Sequence, residues 1–262
     1  MARRALALEY DGRFFCGFQS QPSGESVQDA LERALEAITA TKLRVVAAGR
    51  TDAGVHATLQ IVHFDAEVER PANAWVRGVN AHLPPSAAVL WCLDVSCEFH
   101  ARFGASARHY TYLLQNRPER PGLWAGRVGW HHAALDDDAM REAARALSGT
   151  HDFSSFRAAE CQARSPVRTL HRLDIARIGT LVRFDFTADA FLHHMIRNII
   201  GALVEVGAGK RSPSWVAELL GAADRTRGAP TFAPDGLYFT GADYDARFAL
   251  PVTRRGVAAM LP

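Results

Sequence analysis

The sequence predicts an α+β chain of two ferredoxin-like βαββαβ halves, which share a largely antiparallel sheet and an active-site cleft between them. Three observations carry that expectation. Strand-like and helix-like segments run in the same order twice along the 262 residues. A nine-residue stretch dense in reactive groups, Gly49 to Ala57, is slung between two apolar runs of the first half. The second half holds a long helix, apolar on nearly every side, with one arginine inside it.

The first half, residues 1–104, opens with the strand-like run Ala5-Leu6-Ala7-Leu8-Glu9 before Tyr10. Ser26 then reads as a helix N-cap, with Asp29 as its reciprocal partner in a capping box. Val27, Ala30, Leu31, Ala34, Leu35 and Ile38 follow at helical spacing and make one apolar stripe. Residues 44–48 and 60–66 read as strands, the second alternating Val62 and Phe64 against His63 and Asp65. A helix over 72–81 and a strand over 88–95 complete the first set.

The second half, residues 105–262, repeats the order. Tyr110, Tyr112 and Leu114 alternate on one face of a strand. Asp136 caps a helix carrying Met140, Ala143, Ala144 and Leu147, stopped by Ser148-Gly149. Strands over 169–178 and 181–187 follow, the latter placing Val182, Phe184 and Phe186 opposite Arg183 and Asp185. A helix from Phe191 to Val206 ends at Gly207-Ala208-Gly209, and a short helix over 213–221 and a strand over 236–242 close the set. The element order repeats; the residues themselves do not.

Apolar residues make up 48% and charged residues 22%, the balance of a soluble globular protein. No stretch reads as a membrane span or a signal peptide, so the expectation is a cytoplasmic protein with no membrane partner. Cys16, Cys92, Cys97 and Cys161 have no C-x-x-C spacing and are too few for a disulfide scaffold. A net charge of +2 does not announce a nucleic-acid binder. The local pattern says more: Arg102, Arg108 and His109 interleave with Phe99, Phe103, Tyr110 and Tyr112, and Arg157, Arg164, Arg168 and Arg172 recur nearby. Such interleaving suits RNA, whose phosphates take the charge and whose bases stack on rings. A solvated basic face would read the same way.

Within Gly49-Arg50-Thr51-Asp52-Ala53-Gly54-Val55-His56-Ala57, Asp52 is the group at stake. Thr51-Asp52-Ala53-Gly54 is good turn chemistry, and it is also where a rigid scaffold would present a reactive carboxylate. An enclosed carboxylate needs a cation beside it to stay ionised. Arg50 is close in the chain but would point alongside. Arg197 sits in the apolar helix, where a buried guanidinium needs an acid partner unless it lies on an exposed stripe. Pairing of Arg197 with Asp52 is the sharper expectation. His131-His132 and His193-His194 lack the i, i+4 spacing of a helical chelate, and no phosphate-binding glycine loop is present, so neither a metal nor a nucleotide cofactor is expected.

Taken together these residues resemble the TruA-type pseudouridine synthases, the branch that modifies the anticodon stem-loop of transfer RNA. Glu9-Tyr10-Asp11-Gly12 with Phe15, Gly17, Gln19 and Gln21 is similar to the family's opening motif, and Gly49 to Ala57 to its catalytic motif. Asn80 to Pro84, Phe99 to Phe103, Arg108 to Tyr110, Gly149 to Phe153, Ser165 to Thr169, Phe191 to Gly201 and Gly236 to Tyr238 follow in the family's order. His193 and the segment Phe232 to Asp235 depart from the pattern. The resemblance implies Asp52 as nucleophile, Arg197 as its basic partner, Tyr110 stacked on the target uracil and Leu237 lining the base pocket. Arg50 is implied to touch the flipped-out nucleotide or its neighbours. It further implies conversion of uridine to pseudouridine at tRNA positions 38, 39 and 40 by a homodimer without cofactor or metal. Two other functions keep parts of this set: a non-catalytic tRNA-binding protein, and a glycosidase that releases uracil.

Overall fold

The computed structural model describes residues 1–257 as a mixed α+β chain whose strands pair mostly antiparallel. It divides into two compact units, Met1–Arg108 with the chain from Tyr238 onward, and His109–Leu237. The division thus falls a few residues beyond 104, and the last strand returns to the first unit. Its reason is register: Tyr238 and Phe239 pair in parallel with His56 and Ala57.

The first unit is built as β1 (Ala2–Tyr10), α1 (Val27–Thr39), β2 (Val46–Ala47), β3 (His56–Ala66), α2 (Ala72–His82) and β4 (Ala87–Val95). β1 lies between β3 and β4, antiparallel to both, and β2 pairs with the far side of β3. Ser26 and Asp29 form the capping box, the Ser26 hydroxyl accepting from the Asp29 N–H and the Asp29 carboxylate accepting from the Ser26 N–H. The apolar stripe of α1 is buried as the spacing requires. Trp75 of α2 packs edge-on against Phe64 of β3, and the buried Arg4 guanidinium lies 4.8 Å from its ring centroid. A second cluster packs around Phe99, whose ring meets His63 of β3, Tyr244 and Phe248 at 6.1, 5.1 and 5.2 Å. β3 begins at His56, earlier than the alternating pattern suggested, so the reactive stretch ends inside a strand.

The second unit contains β5 (Ala107–Asn116), β6 (Gly129–His131), α3 (Asp137–Arg145), β7 (Gly149–Asp152), β8 (Val167–Ile178), β9 (Leu181–Ala188), α4 (Met195–Gly207) and α5 (Ser214–Ala222). β8 pairs antiparallel with β7 and β9, and β6 pairs parallel with β5. The short β6 and β7 were not expected, because three or four residues carry no readable alternation. Asp136 caps α3 by accepting from the Asp138 and Ala139 N–H groups. Val182, Phe184 and Phe186 are buried on one face of β9, with Arg183 and Asp185 half-buried opposite. β10 (Leu237–Asp243) begins in this unit and continues into the first. Among the described residues no helix is long and apolar enough to cross a membrane.

Helix α4 starts four residues later than its apolar run predicts. The Asp189 carboxylate accepts from the Ala190 and Thr169 N–H groups and turns the chain, and His194 adopts a left-handed φ of 61°. His193 and His194 therefore stack in a turn, 4.0 Å apart, and the helical-spacing argument applied to them does not hold.

Candidate active site

Asp52 is held by a loop whose backbone is hydrogen-bonded at Gly49, Thr51, Asp52 and Val55. Gln60 Nε2 donates to the Gly49 carbonyl at 2.7 Å, and the Phe18 N–H donates to the Thr51 carbonyl at 2.9 Å. The Thr51 hydroxyl meets the Tyr10 phenol at 2.8 Å inside the core, where burial pushes the phenol up to about 12. The Val55 N–H donates back to the Asp52 carbonyl at 3.1 Å, closing the turn. Asp52 itself is half-buried.

The segment from Asp11 to Phe18 is the other wall of this loop. A Cβ on Gly12 would stand 2.2 Å from the Val55 carbonyl oxygen. One on Gly17, at φ +98°, would stand 2.9 Å from the Thr51 carbonyl. Only a glycine lets the two backbones approach so closely, and the left-handed φ of Gly17 is strained for any other residue. The Gly12 N–H donates to His56 Nδ1 at 3.1 Å, and the His56 ring stacks on Tyr238 at 4.7 Å. His56, the imidazole of the reactive stretch but assigned no role from the sequence, thus ties the opening motif, the reactive loop and β10 together. The repeated glycines of the opening motif were the available signal for this close approach.

Arg50 is exposed at the start of the loop, where partial burial and the charge of Arg102 lower its pKa. Arg108 anchors the ground beneath it, donating from Nε to the Ala48 carbonyl at 3.3 Å and from Nη1 to the Ala105 carbonyl at 2.8 Å.

The second unit holds the other three predicted residues. Tyr110, near the start of β5, is buried and packs edge-on against Phe191 at 5.1 Å. Arg197 is half-buried on α4, and its Nε donates to the Phe232 carbonyl at 2.8 Å while the Phe232 N–H donates to the Arg197 carbonyl at 3.2 Å. Its exposure falls between the two alternatives the sequence left open, a buried guanidinium and one on an exposed stripe, and the strap from Phe232 to Leu237 passes beside it. That strap is sewn down along its length. The Tyr112 phenol donates to the Ala233 carbonyl at 2.9 Å, and the Leu113 N–H donates to the Gly236 carbonyl at 2.8 Å. A Cβ on Gly236 would stand 2.3 Å from the Leu113 carbonyl. Leu237 ends the strap, 5% exposed.

Asn198, beside Arg197, is buried and fully used. Its Nδ2 donates to the Phe156 carbonyl at 2.8 Å, and its Oδ1 accepts from Thr231 at 2.7 Å and Arg225 at 3.0 Å. Sequence reasoning passed over it, although an amide in so apolar a helix was a signal of a local network.

A loop that presents one carboxylate rigidly, with a cation at its start, fits nucleophilic or base chemistry. A profile described as tRNA pseudouridine synthase matches residues 6–104 and 143–245. The chain belongs to the tRNA pseudouridine synthase family. Among relatives carrying the name tRNA pseudouridine synthase A, the protein of Chromobacterium violaceum is 60% identical over 250 residues, covering 95% of each chain. That of Thiobacillus denitrificans is 60% identical over 251 residues, covering 96% of each. That of Bordetella avium is 53% identical and covers 100% of this chain and 99% of its own. Membership of the tRNA pseudouridine synthase family reaches both units, since the matched residues include Asp52 and Arg50 in the first and Arg197 and Leu237 in the second. Tyr110 lies between the two matched segments, within the aligned length of the relatives.

Proposed function

We propose that this chain converts uridine to pseudouridine in the anticodon stem-loop of tRNA, at positions 38, 39 and 40, with Asp52 as nucleophile. The observation that carries the reading is the Asp52 loop, locked from Gly49 to Val55 by Gln60, Tyr10, Phe18 and the flush backbone of Gly12 and Gly17. Family membership supplies the reaction class.

The reaction breaks the bond between N1 of uracil and C1′ of ribose, turns the ring, and forms a new bond from C5 to C1′. The C5 proton is then lost to solvent and N1 gains one, so the product is an isomer. Asp52 attacks either C1′, as a retaining glycosidase does, or C6 of the ring. The target base is first flipped out at a cost of a few kcal/mol. Tyr110 stacks on it, Leu237 walls the pocket, Arg50 holds the flipped nucleotide or its neighbours, and Arg197 provides the counter-charge for Asp52. Water must be kept away, because it would release uracil and leave an abasic site. In this reading the enzyme works in the cytoplasm as a homodimer.

The test is tRNA bearing C5-tritiated uridine, offered to the wild type and to Asp52→Asn. Tritium release by the wild type alone, with tRNA binding kept by both, is the expected result. Full release by Asp52→Asn would remove the nucleophile, and free uracil among the products would turn the reading to a glycosidase.

A further inference from the structure

The turn from His100 to Gly104 in the first unit carries a feature that the catalytic set does not use. Phe103 stands at its tip with 78% of its surface exposed, unusual for so large an apolar side chain. The turn beneath it is rigid. His100 Nδ1 accepts from the Arg102 and Phe103 N–H groups at 3.2 and 3.0 Å, and the Gly104 N–H donates to the His100 carbonyl at 2.8 Å. The imidazoles below are in contact in turn, their planes tilted: the His100 ring lies 4.5 Å from Phe103 and 4.6 Å from His63, and His63 Nδ1 accepts from the Ala101 N–H. Arg108 donates to the Arg102 and Ala105 carbonyls of this turn and to Ala48, so one guanidinium clamps the Phe103 turn to the stretch leading into Arg50 and Asp52.

One cation lies against the ring and a second stands near that cation. The Arg102 guanidinium lies 5.4 Å from the Phe103 centroid, and Arg50 is close enough to feel its charge. Both are exposed, and neither makes an ion pair among the described residues. Two neighbouring like charges, one of them against an exposed ring and neither ion-paired among the described residues, want an anionic partner that also offers a flat face. Single-stranded RNA supplies both, phosphate for the guanidiniums and a base for the ring.

We infer that Phe103 is a stacking platform for an unpaired base near the target uridine, with Arg50 and Arg102 holding the adjoining phosphates. The inference rests on the RNA substrate proposed above and adds to it a second nucleotide, outside the reacting one. It assigns Phe103 a binding role and no part in the chemistry.

The test uses an anticodon stem-loop RNA with 2-aminopurine beside the target uridine, bound to the full chain in the Asp52→Asn background so that the RNA stays unreacted. Phe103→Ala should weaken binding about 5- to 150-fold, the equivalent of ~1–3 kcal/mol for one stacked base, and abolish the quenching of 2-aminopurine. Phe103→Trp should keep both, and Phe103→Leu should behave like alanine. Arg50→Gln and Arg102→Gln should each flatten the salt dependence of binding. Affinity unchanged in Phe103→Ala, or retained in Phe103→Leu, overturns the platform. Tritium release by the wild type is read separately, so a failed isomerisation assay with the platform pattern intact would count against the reaction and leave the RNA site standing.

Discussion

Acidification should loosen the first unit through His63, and the size follows from its surroundings. The ring is buried on β3 with Nδ1 accepting from the Ala101 N–H, so it folds as the neutral form. Burial, the neighbouring His100 and the charge of Arg3 push its pKa from 6.5 down to about 4, against a smaller opposing pull from Asp65. The folded value lies below the unfolded one, so the unfolded chain binds the proton first. Stability is full above about pH 6.5 and is lost as pH falls toward about 4. Each unit of difference is worth about 1.4 kcal/mol, which sets a ceiling of about 3 kcal/mol and a loss of about 2 kcal/mol between about pH 7.5 and about pH 5. His100, whose pKa burial also lowers, adds in the same direction. The assay is urea unfolding at the two pH values for the wild type and His63→Asn, whose amide can still accept but does not titrate. The variant should be less stable at neutral pH yet lose about 2 kcal/mol less on acidification. Equal losses in the two proteins would show that His63 is not held neutral by the fold.

Gly12→Ala should drive the opening segment off the Asp52 loop, since its Cβ would sit 2.2 Å from the Val55 carbonyl. A displacement of about an ångström there should lower kcat on the order of a hundredfold with little change in RNA affinity, checked by single-turnover tritium release and a binding titration. Asn198→Ala should free the strap by removing three hydrogen bonds, to Phe156, Thr231 and Arg225, costing roughly 2–3 kcal/mol in urea unfolding. Treatment with EDTA followed by exhaustive dialysis should leave tritium release unchanged, because the proposed chemistry calls on no metal; lost activity restored by one added cation would refute that.

Much of the frame was legible because its signals are local. The Ser26–Asp29 capping box, the α1 stripe and the Phe184–Phe186 alternation each depend on residues a few positions apart, and each is found where the pattern puts it. What escaped depends on partners far along the chain. The start of α4 is set by Asp189 capturing the Thr169 N–H, which overrides an apolar run that reads as helix from Phe191. β6 and β7 exist because longer neighbours offer them an edge. At the site, Asp52 and Arg50 stand out as charged groups between glycines, whereas His56 and Gln60 look like ordinary strand residues until their ring nitrogen and amide are traced to Gly12 and Gly49.

That contrast reflects how the carboxylate loop is stabilised. Each residue of a loop costs about 1–2 kcal/mol of backbone entropy to order, so holding Gly49 to Val55 in one conformation costs several kcal/mol that the loop's own side chains cannot supply. Here most of the offset comes from groups outside the loop that already belong to the first unit: the Phe18 N–H, the Gln60 amide and the Tyr10 phenol that meets the Thr51 hydroxyl. None of these supports is the Asp52 carboxylate, which in the proposed chemistry serves the substrate. Replacing any one support should accordingly act on kcat through position, while Asp52→Asn acts on it through chemistry. The two are separable by size: Gln60→Asn, which shortens the reach to Gly49, should lower single-turnover tritium release by on the order of a hundredfold or less, whereas Asp52→Asn should abolish it.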